Sequence, residues 1–270
     1  MSIWTQLGSV WCAAAMLMAM GWAWQRRHGN AGIVDVIWAA GLAASAVWLA
    51  VVGGGATVPR ALLGTLGGMW GLRLALHLWS RVSHEPEDGR YRHLRSHWQG
   101  SQLKFFWFFQ LQAALVALFA LPFLAVAQNS QDRLTLWVAL GLAIWVISVA
   151  GESLADAQLA RFRADSANRG RTCRAGLWRY SRHPNYFFEW LHWMCYVALA
   201  VGSSIAWLSA IGPLLMYVFL RWVSGIPFTE AQALRSRGED YRMYQQQTPL
   251  FFPWFPRRLG PESDVRRTGV

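Results

Sequence analysis

The chain has 270 residues, 54% of them hydrophobic and 14% charged, with 18 tryptophans and a mean hydropathy of +0.21. This is too apolar for an ordinary soluble domain and points to a polytopic membrane protein. The formal net charge of +11 does not argue for nucleic acid, because the arginines are interleaved with apolar runs, where membrane topology alone would place them.

Apolar runs lie near 3–24, 33–53, 58–79, 104–127, 134–155, 187–202 and 204–223. A helix needs roughly 20 residues to cross a hydrocarbon core, so the pattern predicts an all-α membrane bundle of about seven transmembrane helices. The first run has no cationic segment before it and no small-residue cleavage site, and reads as a retained helix. Arg26 and Arg27 follow it; Arg81, Arg90, Arg92 and Arg95 follow the third run, and seven arginines fall between Arg161 and Arg182. The alternate loops are nearly uncharged, which places the N-terminus outside and the C-terminus in the cytoplasm. No repeat or linker divides the chain, so a single membrane domain over 1–270 is expected, with a polar tail at 257–270.

In the third run, Gly64 and Gly68 overlay Gly67 and Gly71 as two GxxxG spacings, the signature of close helix packing. Arg73, His77 and Arg81 form a basic stripe at four-residue intervals. The segment from Glu85 to Arg95, which includes Tyr91, mixes both signs of charge and has the composition of a lid. Cys12, Cys173 and Cys195 show no CxxC spacing and no nearby His pair, so neither a disulfide framework nor a metal site is indicated.

Glu152, Asp156 and Arg163 share one broad face of the fifth helix and its polar extension, which Gly170 is suited to end. Beyond it, Arg171, Arg179, Arg182 and His183 lead to Pro184, a good first helical residue. Asn185 and Glu189 then project an amide and a carboxylate into one pocket. A carboxylate one turn into a membrane helix is costly unless it has a partner, a proton or a water-filled cavity. After the last run, Glu230, Leu234, Arg237, Tyr241 and Tyr244 recur at about helical spacing, and an aromatic segment from Pro249 to Pro256 returns to the interface. Arginines for phosphates, an amide for a carboxamide and carboxylates for ribose hydroxyls or proton transfer suit an anionic nucleotide cofactor and a membrane-dissolved substrate.

Val34 to Trp38, Trp70 to Arg73, Glu87 to Tyr91, Gly176 to Glu189, Glu239 to Tyr241 and Phe252 to Trp254 resemble DUF1295, a family of bacterial membrane proteins. That family is related to steroid 5-alpha-reductases and, more distantly, to sterol reductases and isoprenylcysteine methyltransferases; the resemblance covers roughly 30–256. It implies a bacterial inner-membrane bundle whose cytosolic side binds NADPH and passes hydride to an activated carbon–carbon double bond of a lipid or steroid-like substrate. By position it implies cofactor contacts at Asp156, Arg163 and Asn185, with Asn185 at the nicotinamide, and the further candidate cofactor residues are Glu152, Arg171, Arg179, Arg182, His183 and Tyr241. Glu189, Tyr91 and His77 are the candidate proton donors. Phe188 replaces the glycine of the reductase motif, Glu152 replaces an asparagine, and Glu230 and Leu234 stand where steroid reductases carry histidine and tyrosine. Arg182-His183-Pro184 and the Glu230, Tyr241, Tyr244 tail fit the methyltransferases equally, which would make S-adenosylmethionine the cofactor. A non-catalytic lipid-binding protein is the remaining alternative, and no inverted halves suggest a transporter.

Overall fold

A computed structural model describes residues 1–257; the residues beyond, which include nearly all of the polar tail, lie outside the described part. The described residues are helical and include no strand. The helices are α1 (Ile3–His28), α2 (Ile33–Val52), α3 (Thr57–His84), α4 (Gly89–His97), α5 (Gln102–Phe119), α6 (Leu121–Ala127), α7 (Leu136–Ala164), α8 (Pro184–Leu199), α9 (Ile211–Val218), α10 (Ile226–Arg237) and α11 (Glu239–Gln247).

Among the described residues five helical stretches are long and apolar enough to cross a membrane: Ile3–His28, Ile33–Val52, Gln102–Ala127, Leu136–Ala164 and Ala206–Arg237. They coincide with five of the seven expected spans. The other two expected spans fall on α3, whose apolar character is diluted by Arg60, Arg73, Arg81 and four glycines, and on α8, which at 16 residues is short. Two stretches are interrupted. Ala120 and Pro122 divide α5 from α6 because proline has no N–H to continue the ladder, and a π-helical turn at Phe219–Val223 precedes α10.

The chain forms two compact units, Met1–Ala143 with Trp193–Leu215, and Ile144–His192 with Met216 onward, so α7, α8 and α9 each contribute to both. In the first unit α2 packs along α3. A Cβ on Gly67 would lie 2.7 Å from the Ala46 methyl, and one on Gly71 2.9 Å from that of Ala43, so the paired GxxxG spacings do serve close packing. Trp193 is fully buried there among Trp70, Phe119 and Phe123. Trp4, Trp11, Met16 and Met20 of α1 are exposed, as befits a surface solvated by lipid tails.

The second unit is built from the last turns of α7, the segment 165–183, the start of α8, and α10 and α11. Gly170 takes the left-handed φ of +77° that the turn at 168–171 requires. Gly238, with φ +52° and ψ −120°, separates α10 from α11, which places Tyr241 and Tyr244 in a small buried cluster with Ala233.

Candidate functional site

Two polar clusters hold the chemically interesting groups, one in each unit. In the first unit, Asp88 caps α4 by accepting the Arg90 N–H at 2.9 Å. The capped helix presents Tyr91, whose hydroxyl donates to Asp35 Oδ1 at 2.6 Å, while Arg90 Nη2 reaches Asp35 Oδ2 at 3.2 Å. Asp35 sits in the first turn of α2. One turn along α4, Arg95 pairs with Glu87 at 2.7 Å, and Glu87 also accepts the Ala31 N–H at 2.8 Å, tying α4 to the loop between α1 and α2. A shallow cleft lined by Asn30, Asp35, Arg81, Asp88, Arg90 and Tyr91 opens beside the phenol.

Burial pushes the Tyr91 hydroxyl well above its usual pKa, and the neighbouring Asp35 charge adds to the shift. Burial opposes the ionised form of Asp88 as well, yet Arg90, the capping N–H and Arg81 outweigh it and hold its carboxyl below the usual range. The phenol therefore keeps its proton at neutral pH and is a standing hydrogen-bond donor. His77, in contrast, is exposed on α3.

In the second unit, Asn185 in the first turn of α8 donates through Nδ2 to Asp156 Oδ1 on α7 at 3.1 Å. Its own Oδ1 accepts the Tyr186 N–H at 3.0 Å. The amide is thus held in one orientation with a second N–H and an acceptor lone pair left over. Trp178 Nε1 donates to the Ala155 carbonyl at 2.9 Å and the Leu177 N–H to Gln158 at 2.9 Å, docking the 176–179 turn onto α7. Phe188 lies against Gly151: a Cβ there would be 2.5 Å from ring atoms Cδ1 and Cζ. Glu152 and Glu189 are half-buried, while Arg163, Arg171 and Arg179 are exposed.

A third arrangement, also in the second unit, centres on Glu230 of α10. Its carboxylate meets Arg182 Nε at 3.0 Å and His183 Nε2 at 3.3 Å, and accepts from Tyr241 at 3.3 Å and from Gln245 at 2.8 Å. The Arg182 Nε contact is an ion pair whose N–H does not point along the line to the oxygen. Burial pulls the His183 pKa down, while the Glu230 hydrogen bond and charge oppose this without reversing it. Burial pushes the hydroxyls of Tyr241 and Tyr244 up. Tyr244 donates to the carbonyls of both Trp178 and Ser181. The aromatic tail completes the unit: Arg182 N–H donates to the Pro249 carbonyl, Ser181 Oγ to that of Phe251, and Trp254 N–H to that of Tyr180.

The structure thus brings Glu152, Asp156, Asn185 and Glu189 into one unit with Arg163, Arg171 and Arg179, and gives Arg182, His183 and Tyr241 a common partner in Glu230. Tyr91 and His77 belong to the other unit. Sequence reasoning passed over Asp35 as a functional group and did not connect Glu230 with Arg182 and His183. Asp35 lies 56 residues from Tyr91 and Glu230 lies 47 from His183, so no local spacing signals either pair. Among the described residues no cluster of three or more His, Cys, Asp or Glu side chains is placed to hold a metal ion.

The protein belongs to the DUF1295 family: residues 21–248 match the model of that family, which is described as a protein of unknown function. No curated protein and no solved structure matches the chain.

Proposed function

We propose that the protein is an NADPH-dependent membrane reductase acting on an activated carbon–carbon double bond of a lipid or steroid-like substrate. The observation that carries this reading is the Asp156–Asn185 hydrogen bond, which fixes a carboxamide-complementary amide on α8. An amide that still has one donor and one acceptor matches the nicotinamide carboxamide, and a methyl donor offers no such group. Arg163, Arg171 and Arg179 are the residues to hold phosphates, because guanidinium groups exposed to the nucleotide form bidentate, charge-assisted bonds. Arg182 and His183 act differently in this reading: engaged by Glu230, they shape the turn that leads into Asn185.

When bound, the cofactor supplies hydride to the carbon β to a carbonyl. The chain must then provide a donor to the developing oxyanion, and of the three candidates Glu189, one turn along α8 from Asn185, lies in the unit that holds the Asp156–Asn185 pair. We also propose that α3 and α8 cross the bilayer as the third and sixth of seven spans, with the N-terminus outside and the arginine-rich loops in the cytoplasm, as the charge asymmetry requires.

Titration calorimetry of the detergent-purified protein with NADPH and, separately, with S-adenosylmethionine tests the proposal. Micromolar NADPH binding that Asn185→Ala and Arg163→Ala each weaken tenfold or more supports it. Binding of the methyl donor without an NADPH signal overturns it in favour of a methyltransferase.

A further inference from the structure

Phe188 is the residue at which the sequence departs from the glycine of the reductase motif, and the structure shows what accommodates it. Gly151 shares one face of α7 with two other small residues, Ser148 and Ala155, at i, i+3 and i+7, and both of these are buried. The edge of the Phe188 ring sits on the bare backbone of Gly151. The glycine that would be expected on α8 is, in effect, found on α7.

The contact lies three residues along α8 from Asn185 and five along α7 from Asp156, within about a turn and a half of their hydrogen bond. We infer that the Phe188–Gly151 contact sets the register of α7 against α8 and makes Phe188 a positioning residue for the Asp156–Asn185 pair. This inference rests on the proposed function only in taking that pair as part of the cofactor site.

Magnitudes support the coupling. Real Cβ contacts do not fall below 3.0 Å, and a methyl on Gly151 would start 2.5 Å from the ring atoms, so the surroundings must yield by at least 3.0 − 2.5 = 0.5 Å. The Asp156–Asn185 bond, at 3.1 Å, tolerates only about 0.4 Å before it passes ~3.5 Å and ceases to be a hydrogen bond. The ring also has a neighbour on another side, the Phe187 ring, with centroids 5.3 Å apart at 69°, so escape by side-chain rotation meets a second aromatic surface.

The test is a set of thermal-denaturation cycles in detergent, needing no ligand. The interaction between Asp156 and Asn185 is measured with Asp156→Ala, Asn185→Ala and the double variant, in the native background, in Gly151→Ala and in Gly151→Ala/Phe188→Gly. A coupling present in the native background, lost in Gly151→Ala and recovered when Phe188→Gly makes room establishes the register role. Coupling that survives Gly151→Ala, because the ring simply swings aside, overturns it. NADPH affinity in the same variants should follow the same order, falling tenfold or more in Gly151→Ala and returning in the double variant. A protein that binds no NADPH in any background, yet shows the lost and regained coupling, refutes the reductase reading and leaves the register role standing.

Discussion

The two polar clusters solve the problem of charge beside an apolar bundle in different ways. Around Asp35 the charges are matched within a short stretch: Asp35, Glu87 and Asp88 face Arg81, Arg90 and Arg95, and each of the three carboxylates accepts from a backbone N–H, a phenol or a guanidinium. In the second unit Glu230 gathers Arg182, His183, Tyr241 and Gln245 onto one carboxylate, while Arg161, Arg163, Arg169, Arg171 and Arg179 remain exposed. The first region has the character of a closed knot that holds one proton donor in place. The second combines a sealed hub with a surplus of outward-facing positive charge, and such a surplus is what an anionic ligand can use. Local neutrality marks the first cluster, and a positive imbalance marks the second unit.

The sharpest way to break this contrast is to remove the hub. Glu230→Ala leaves Arg182, with its side chain 11% exposed, buried beside His183 without their shared carboxylate. Deleting one partner of a buried pair costs roughly 3–5 kcal/mol, so the variant should lose most of its cooperative thermal transition in detergent, whereas Glu230→Gln should retain part of it.

A smaller effect is expected in the knot. Tyr91→Phe deletes one hydrogen bond to Asp35 while keeping the ring, and a bond to a charged group contributes about 1.5–3 kcal/mol. Denaturation should show a loss of that order.

The smallest effect is in pH dependence. His183 has its pKa lowered in the folded chain by burial, so the unfolded chain binds the extra proton first as pH falls. The contribution of neutral His183 is complete above the unfolded value of about 6.5 and is lost below it, at no more than about 1.4 kcal/mol per pH unit. Midpoint temperatures measured from pH 8 to pH 5 should decline below about 6.5, and His183→Gln should flatten that decline. A rise in stability on acidification would mean that Glu230 holds the imidazole charged.

Much of the architecture was readable because a bilayer demands long apolar runs. The start of α1, both ends of α2, the packing glycines of α3, the Pro184 start of α8 and the Gly170 turn all follow from local chemistry, while α1 runs one turn past the expected end, to His28. The interruption at Ala120–Pro122 and the π-helical turn at Phe219–Val223 were not read, since apolar composition runs through both. At the site, helical faces group Asp156 with Glu152 and Arg163, and Asn185 with Glu189, but the bond between Asp156 and Asn185 joins residues 29 apart and was not read. Asp35 with Tyr91, Glu230 with Arg182, and Gly151 with Phe188 depend on chain segments 37 to 56 residues apart, where spacing is silent and only tertiary packing speaks.

The tail hydrogen bonds carry a consequence for biosynthesis. The turn from Tyr180 to Arg182 is fixed by the Trp254 N–H and by the carbonyls of Phe251 and Pro249, about 70 residues downstream, and Tyr244 bridges Trp178 to Ser181. A ribosome adding roughly 5–20 residues per second takes several seconds to pass from Arg182 to Trp254. Throughout that interval the arginine-rich segment and the Asn185 end of α8 wait at the membrane without the strands of chain that shape them. The candidate site therefore cannot be complete before the aromatic segment at 249–254 reaches its seat.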